Sequence, residues 1–345
     1  MNNIAVVLRA DFALGTGHLM RVKTLLNLIL KNEDKSLKDD ISCYLFATHF
    51  DKKLIALCSE YKDIFVLDAK DIAKKALDLK CTTIIVDHYF LDKEFEIAFK
   101  DKARVIVIDD LANRDHYASL LIDPSLNHTR DDYKDRVNQD CTICAGKDYA
   151  LVKDEFNKIG QKSMQISNEK YTKSCLIAFG GADPAHATLK VVKSLIQNND
   201  SKLFNFTVLT GKVNTDYDEI IKLTRNYPNF KVLRHSDDVP ALLLVNRLAI
   251  GAYGGMFFER IMARVPSICT SIAKNQDKGI FVMQKYKIGL NLSLSDLNDS
   301  KVLIQALNYL YTNYKTLSYN CAQVYDGKSL IRIKKMLEKA LLNTL

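Results

Sequence analysis

The sequence predicts an α/β protein made of two doubly wound, Rossmann-like domains facing across a cleft. Short, nearly continuous apolar runs recur at helix-length spacing in each half, and nearly every run stops at polar residues or glycine. Strands that are apolar on both faces belong to parallel sheets covered by helices, and such sheets collect their ligands at the carboxyl ends of the strands. The length, 345 residues, also exceeds what one hydrophobic core ordinarily serves.

Ile4 to Leu8 is the first strand, and the apolar period Val22, Leu25, Leu26, Ile29 predicts a helix over Leu19 to Lys31. Ile41 to Ala47 and Thr82 to Val86 follow as strands, the latter ending at Asp87-His88-Tyr89. Arg104 to Ile108 stops at Asp109-Asp110, and Leu120 to Ile122 stops at Asp123-Pro124. Residues 157–173 are polar and show no sustained period, so they read as an interdomain linker. The expected domains are therefore 1–160 and 173–345.

The second half repeats this order. Cys175 to Phe179 is a strand that ends in Gly180-Gly181-Ala182-Asp183-Pro184, and Leu189, Val192, Leu195 and Ile196 mark the helix behind it. Phe206 to Leu209, Lys231 to Leu233, Leu248 to Ile250 and Ser267 to Ser271 are further strands, with a helix around Pro240 to Val245. From about Leu294 the chain is rich in helical pattern, a tail expected to belong to the second domain.

Composition narrows the classes. Hydrophobic residues make up 48% and charged residues 26%, ordinary for a globular chain. No apolar run approaches the roughly 20 residues that span a bilayer, and the N-terminus lacks a signal-peptide layout, so a cytoplasmic protein without membrane insertion is expected. The net charge of +8 comes from 49 basic against 41 acidic residues, mixed along the chain. It permits an anionic ligand, while no basic stripe interleaved with aromatics points to nucleic acid. The eight cysteines suit buried free thiols, and the lone Cys141-x-x-Cys144 has no second pair at metal-ligand spacing.

Gly15-Thr16-Gly17-His18 places an imidazole at a strand-to-helix turn. A general base and a surface histidine on a flexible loop both fit, and Asp11 in the same loop is placed to bond the other ring nitrogen. Gly180-Gly181 and Gly254-Gly255 each follow a strand and precede a helix, where free amides bind phosphate. Glycine also serves a tight turn for steric reasons, but the two pairs together suggest a diphosphate. Glu259, four residues after Gly255, fits two ribose hydroxyls or a helix dipole equally. Asp87-His88-Tyr89 is suited to gripping sugar hydroxyls or acetamido groups, and Asp109-Asp110 reads as turn and capping chemistry before it reads as a metal site.

The ordered set Arg9-x-Asp11, Gly15-x-Gly17-His18-x-x-Arg21, Val86-Asp87-His88-Tyr89, Asp109-Asp110, Tyr149-Ala150-Leu151-Val152-x-x-Glu155-Phe156, Phe179-Gly180-Gly181-x-Asp183, Glu259 and Lys274-Asn275-Gln276 resembles the UDP-sugar hydrolases of pseudaminic acid biosynthesis. That resemblance implies a GT-B-type fold and an inverting release of UDP from a UDP-2,4-diacetamido-2,4,6-trideoxyhexose, with no metal and no cofactor. It implies that His18 activates water with Asp11 beside it, and that Gly17, Arg21, Asp87, Tyr89, Asn275 and Gln276 meet the substrate. Gly180, Gly181, Gly254, Gly255, Met256 and Glu259 would bind UDP. Met256 departs from the pattern, because the family usually carries a hydroxyl residue after the second glycine pair. A glycosyltransferase of the same architecture is the alternative; segment 1–160 shows no apolar, basic patch for a lipid-linked acceptor, which favours water. A non-catalytic nucleotide-sugar binding protein would require a dispensable His18.

Overall fold

The computed structural model describes residues 3–10, 17–30, 41–165, 173–181 and 183–342. The chain forms two compact units, Met1–Leu151 with Lys328–Leu345, and Val152–Gly327.

The first unit contains strands β1 (Asn3–Ala10), β2 (Cys43–Phe50), β3 (Asp63–Val66), β4 (Cys81–Asp87), β5 (Arg104–Ile108), β6 (Leu120–Asp123) and β7 (Thr142–Ala145). They pair in parallel in the order β3-β2-β1-β4-β5-β6-β7. β1 shows why the sheet must be covered twice. Ile4, Val6 and Leu8 pack with Leu19, Val22, Leu25 and Leu26 of α1 (Gly17–Leu30), whereas Ala5 and Val7 pack with Ile72 and Ala76 of α2 (Ala69–Asp78) and Phe95 of α3 (Lys93–Ile97). A strand buried on both faces has no polar alternation.

The second unit repeats the topology with β8 (Ser174–Ala178), β9 (Asn205–Leu209), β10 (Phe230–Leu233), β11 (Leu248–Ala252), β12 (Ser267–Thr270) and β13 (Gly289–Asn291), ordered β10-β9-β8-β11-β12-β13 and all parallel. Its helices are α4 (Asp154–Gln165), α5 (Ala187–Ile196), α6 (Tyr217–Thr224), α7 (Val239–Val245), α8 (Gly255–Met262), α9 (Lys278–Tyr286), α10 (Ser300–Thr312) and α11 (Tyr314–Val324). In each sheet the strand order reverses once, between β1 and β4 and between β8 and β11. These reversals are where doubly wound sheets open a crevice for ligands.

Two boundaries differ from the expectation. Residues expected to form a linker include most of α4, whose Phe156, Gly160 and Ser163 form a buried face. An added Cβ at Gly160 would lie 2.4 Å from the Met262 carbonyl oxygen, so the helix approaches α8 closely. Small residues make that contact, and an apolar periodicity does not register them.

The end of the chain also differs. α12 (Ser329–Leu342) belongs to the first unit: its Ile333 and Leu337 are buried among the side chains of α1 and β1, and the Arg104 guanidinium donates to the Leu341 carbonyl. Hydrophobic period identifies which residues of a helix are buried, not which core receives them. Cys141 and Cys144 are buried on opposite faces of the first sheet, and burial pushes both thiols up to about 12. None of the described helices is long and apolar enough to cross a membrane.

Candidate active site

His18 lies at the start of α1, and Asp87 is the last residue of β4, paired in register with Leu8 of β1. Both therefore lie at the strand-order reversal of the first sheet. His18 Nδ1 is 2.5 Å from Asp87 Oδ1. One helical turn on, Arg21 donates from Nη2 to Oδ1 and from Nε to Oδ2 of the same carboxylate, each at 2.6 Å, and from Nη1 to Asp110 Oδ2 at 2.6 Å. This is the bidentate fork that guanidinium geometry favours. The Tyr89 ring stands edge-on to the imidazole, with centroids 4.5 Å apart.

Asp87 is fully buried. Burial opposes its charge, but Arg21 and His18 outweigh that effect and hold the carboxyl well below the usual carboxylate range. An ionised acceptor on Nδ1 keeps the ring proton there and leaves the Nε2 lone pair as the proton acceptor. Among the described residues no group is paired with Nε2. His88 is a different kind of histidine. Its Nδ1 accepts from the Phe90 amide at 3.1 Å and its Nε2 donates to Thr48 Oγ1 at 2.7 Å, while burial and the neighbouring His18 push its pKa down to about 4.

Asp11, expected beside His18, lies outside the described residues, as do Gly15 and Thr16. The carboxylate on Nδ1 is Asp87, which the sequence reading assigned to the substrate. Its two oxygens are engaged by His18 and Arg21, and Arg21 is itself committed to Asp87 and Asp110. In this geometry both side chains hold the imidazole in place. Gly17 is exposed, and nothing lies within 4 Å of an added Cβ, so no packing demand accounts for glycine there.

The Asp109-Asp110 pair divides its duties. Asp110 takes Arg21, whereas Asp109 accepts from the amides of Leu111 and Ala112 and pairs with Arg114. No sequence motif marks the network behind it. Tyr133 Oη lies 2.8 Å from Oδ2 of both Asp109 and Asp123, and His128 Nδ1 is 2.7 Å from Asp123 Oδ2. The available signal was positional: Asp123 ends β6 as Asp87 ends β4.

In the second unit the glycine pairs again follow the two central strands, β8 and β11. They differ in what their helices have free. Asp183 Oδ1 and Oδ2 accept from the amides of Ala187 and Thr188, so the first turn of α5 is already capped by a carboxylate. The turn at Gly180, φ +99°, is tight, and an added Cβ at Gly211 would lie 2.4 Å from the Gly181 carbonyl oxygen. α8, by contrast, has Gly254 as its N-cap, with no side-chain cap and no acid in its first turn. Open amides at the positive end of a helix dipole are the kind of group that receives an anion.

Glu259, in the second turn of α8, is half-buried, and no described residue hydrogen-bonds or ion-pairs with its carboxylate. Burial pushes its pKa up to about 7, against the opposing influence of Arg260 and Lys153. The Gln276 amide nitrogen lies 3.8 Å from where a Cβ on Gly254 would stand, and its Oε1 accepts from the Ile272 amide at 3.2 Å. Gly254, Gly255, Met256 and Gln276 thus gather at the start of α8, with Glu259 one turn further along the helix; Asn275 lies beside Gln276 in the turn Lys274–Gln276. Gly180 and Gly181 lie on the neighbouring strand end.

No protein-family model matches the chain. It is 25% identical over 273 residues to an uncharacterised Methanocaldococcus jannaschii protein, covering 77% of this chain and 54% of that one, so it spans about half of that relative's length. It is 23% identical over 354 aligned positions to the spore coat polysaccharide biosynthesis protein SpsG of Bacillus subtilis, covering 97% and 98%. The UDP-2,4-diacetamido-2,4,6-trideoxy-beta-L-altropyranose hydrolase of Campylobacter jejuni is 22% identical over 217 residues, covering 60% and 75%. Among solved structures, Acinetobacter baumannii MurG superposes with a TM-score of 0.68 at 11% identity, covering 98% and 100%. UDP-glucose: anthocyanidin 3-O-glucosyltransferase in complex with UDP gives a TM-score of 0.63 at 10% identity, covering 99% of each chain. The fold is GT-B. In this GT-B chain each doubly wound unit presents polar groups at its own strand-order reversal: a carboxylate-held histidine in the first, and in the second a helix start without a side-chain cap, with a glutamate that has no hydrogen-bond or ion-pair partner among the described residues.

Proposed function

We propose that the chain cleaves the anomeric C–O bond of a UDP-linked 2,4-diacetamido-2,4,6-trideoxyhexose and passes the sugar to water. The observation that carries this reading is the His18–Asp87–Arg21 arrangement, which holds an imidazole with Nε2 as its proton-accepting nitrogen. His18 Nε2 takes a proton from water as the water oxygen bonds to C1, and the C1–O bond to UDP breaks on the opposite face. UDP leaves with the bonding pair, the free sugar has inverted configuration, and His18 later releases its proton to solvent. UDP is already a good leaving group. The chemistry therefore needs water placed in line and the diphosphate charge stabilised by amides and dipoles, the service that the start of α8 can give. Glu259 suits the ribose hydroxyls, since a half-buried carboxylate without partners among the described residues gains most from two donors.

The likeness to the Campylobacter jejuni hydrolase supports water as the acceptor, and the full-length likeness to SpsG supports a polysaccharide precursor. A transferase is the second reading, favoured by the glucosyltransferase among the solved structures that share this fold. In it His18 deprotonates a sugar or lipid hydroxyl instead. Incubation with UDP-2,4-diacetamido-2,4,6-trideoxyhexose, EDTA and no added acceptor separates the two. UDP release at full rate is expected; no release until an acceptor is supplied would replace the hydrolase by the transferase, and loss of release in EDTA would contradict the metal-independent mechanism.

A further inference from the structure

Arg260 is 1% exposed, the largest of the fully buried side chains. Its Nη2 donates to the Ala252 carbonyl at 2.7 Å and to Cys269 Sγ at 3.3 Å, while Nε and Nη1 have no hydrogen-bond partner among the described residues. Among the described residues no carboxylate forms an ion pair with it. Side chains on a helix lean toward its N-terminus, so a guanidinium from the second turn of α8 reaches back to Ala252, beneath the turn Tyr253-Gly254-Gly255. Strand β11 makes room for it: an added Cβ at Gly251 would lie 2.7 Å from Arg260 Nη1 and 2.3 Å from the Ala178 carbonyl oxygen.

A guanidinium keeps its charge even when buried, and an interior ion without a counter-ion is strongly unfavourable. A hydrophobic side chain would fill the same volume without that cost. The neighbouring carboxylate, Glu259, is half-buried and disfavoured as an anion by burial. The countercharge this position lacks is what an anion at the uncapped start of α8 would supply.

We propose that Arg260 is a buried counter-charge for the diphosphate, adding its field to the α8 amides without touching the ligand. The proposal rests on the nucleotide-sugar reading for the identity of the anion, but not for the existence of the anion site.

Calorimetric titration of the full chain with uridine, UDP and inorganic pyrophosphate, on the parent, Arg260→Met and Arg260→Lys, tests it together with ligand-free melting temperatures. Arg260→Met is expected to weaken UDP and pyrophosphate about tenfold or more, leave uridine unchanged, and melt no lower than the parent. Arg260→Lys should keep UDP within about threefold, because the charge remains. Arg260→Gln replaces the methionine variant if that one does not fold. Unchanged UDP and pyrophosphate affinity in the uncharged variant overturns the counter-charge and leaves the nucleotide reading intact. Equal loss of uridine and UDP with a lower melting temperature also overturns it, because that is the signature of packing. A parent that binds pyrophosphate but not uridine overturns the nucleotide reading instead, and one that binds none of the three overturns both.

Discussion

Asp87 Oδ1 lies 2.5 Å from His18 Nδ1, and the same carboxylate receives two nitrogens of Arg21. This pairing fixes the orientation of a histidine at a helix start. The ring is held at one nitrogen by an ionised acceptor, which is held in turn by a guanidinium fixed on Asp110.

Asp87→Asn is therefore expected to lower turnover by about 10²–10⁴-fold, since an amide no longer stabilises the imidazolium that forms as water loses its proton. UDP affinity should stay within about twofold, because the groups proposed to hold the nucleotide lie in the other unit. Removing one member of a buried ion pair also costs about 3–5 kcal/mol, read as a lower denaturation midpoint. Turnover at the parent rate would mean that the pair only supports the fold.

Glu259 sets a pH dependence. A glutamate ordinarily near 4.5 is raised to about 7 by burial, with Arg260 and Lys153 opposing. Between those values the folded chain retains a proton that the unfolded chain has released, so stability falls as pH rises through that window and levels off above it. Glu259→Gln removes this fall. At pH 8 it should be more stable than the parent by about 1–2 kcal/mol, after allowance for screening at a half-buried group, and at pH 4 the two should coincide. Ribose hydroxyls favour the ionised carboxylate, so uridine affinity should rise with pH across the same window in the parent and stay flat in the variant.

Leu337 tests where the end of the chain belongs. It is 2% exposed within the core of the first unit. Leu337→Ala should cost about 2–5 kcal/mol, with faster amide exchange in α1 and β1 and unchanged exchange in α5. Faster exchange in α5 alone would return the helix to the second unit.

Much of this architecture is legible in the residues. Ile4 to Leu8 and Leu248 to Ile250 are apolar without alternation because both faces of a central parallel strand are covered. The edge strands β3, β7 and β13 escape, being three or four residues long and partly exposed. α4 escapes because its buried face uses Gly160 and Ser163. His18 stands out by its flanking glycines, but its partner does not: Asp87 is 69 residues away, and only strand pairing brings it beside Leu8. The two glycine pairs look alike in sequence. What separates them is Asp183, whose carboxylate occupies the start of α5 while the start of α8 stays open.

The central claim is that His18 Nε2 takes the proton from the attacking group. Its most direct test compares UDP release from the diacetamido sugar nucleotide by the parent and by His18→Asn, with UDP affinity measured on both. Release should fall by about 10³-fold or more, while the dissociation constant for UDP stays within about twofold. Release at the parent rate by His18→Asn, with UDP still bound, would contradict it.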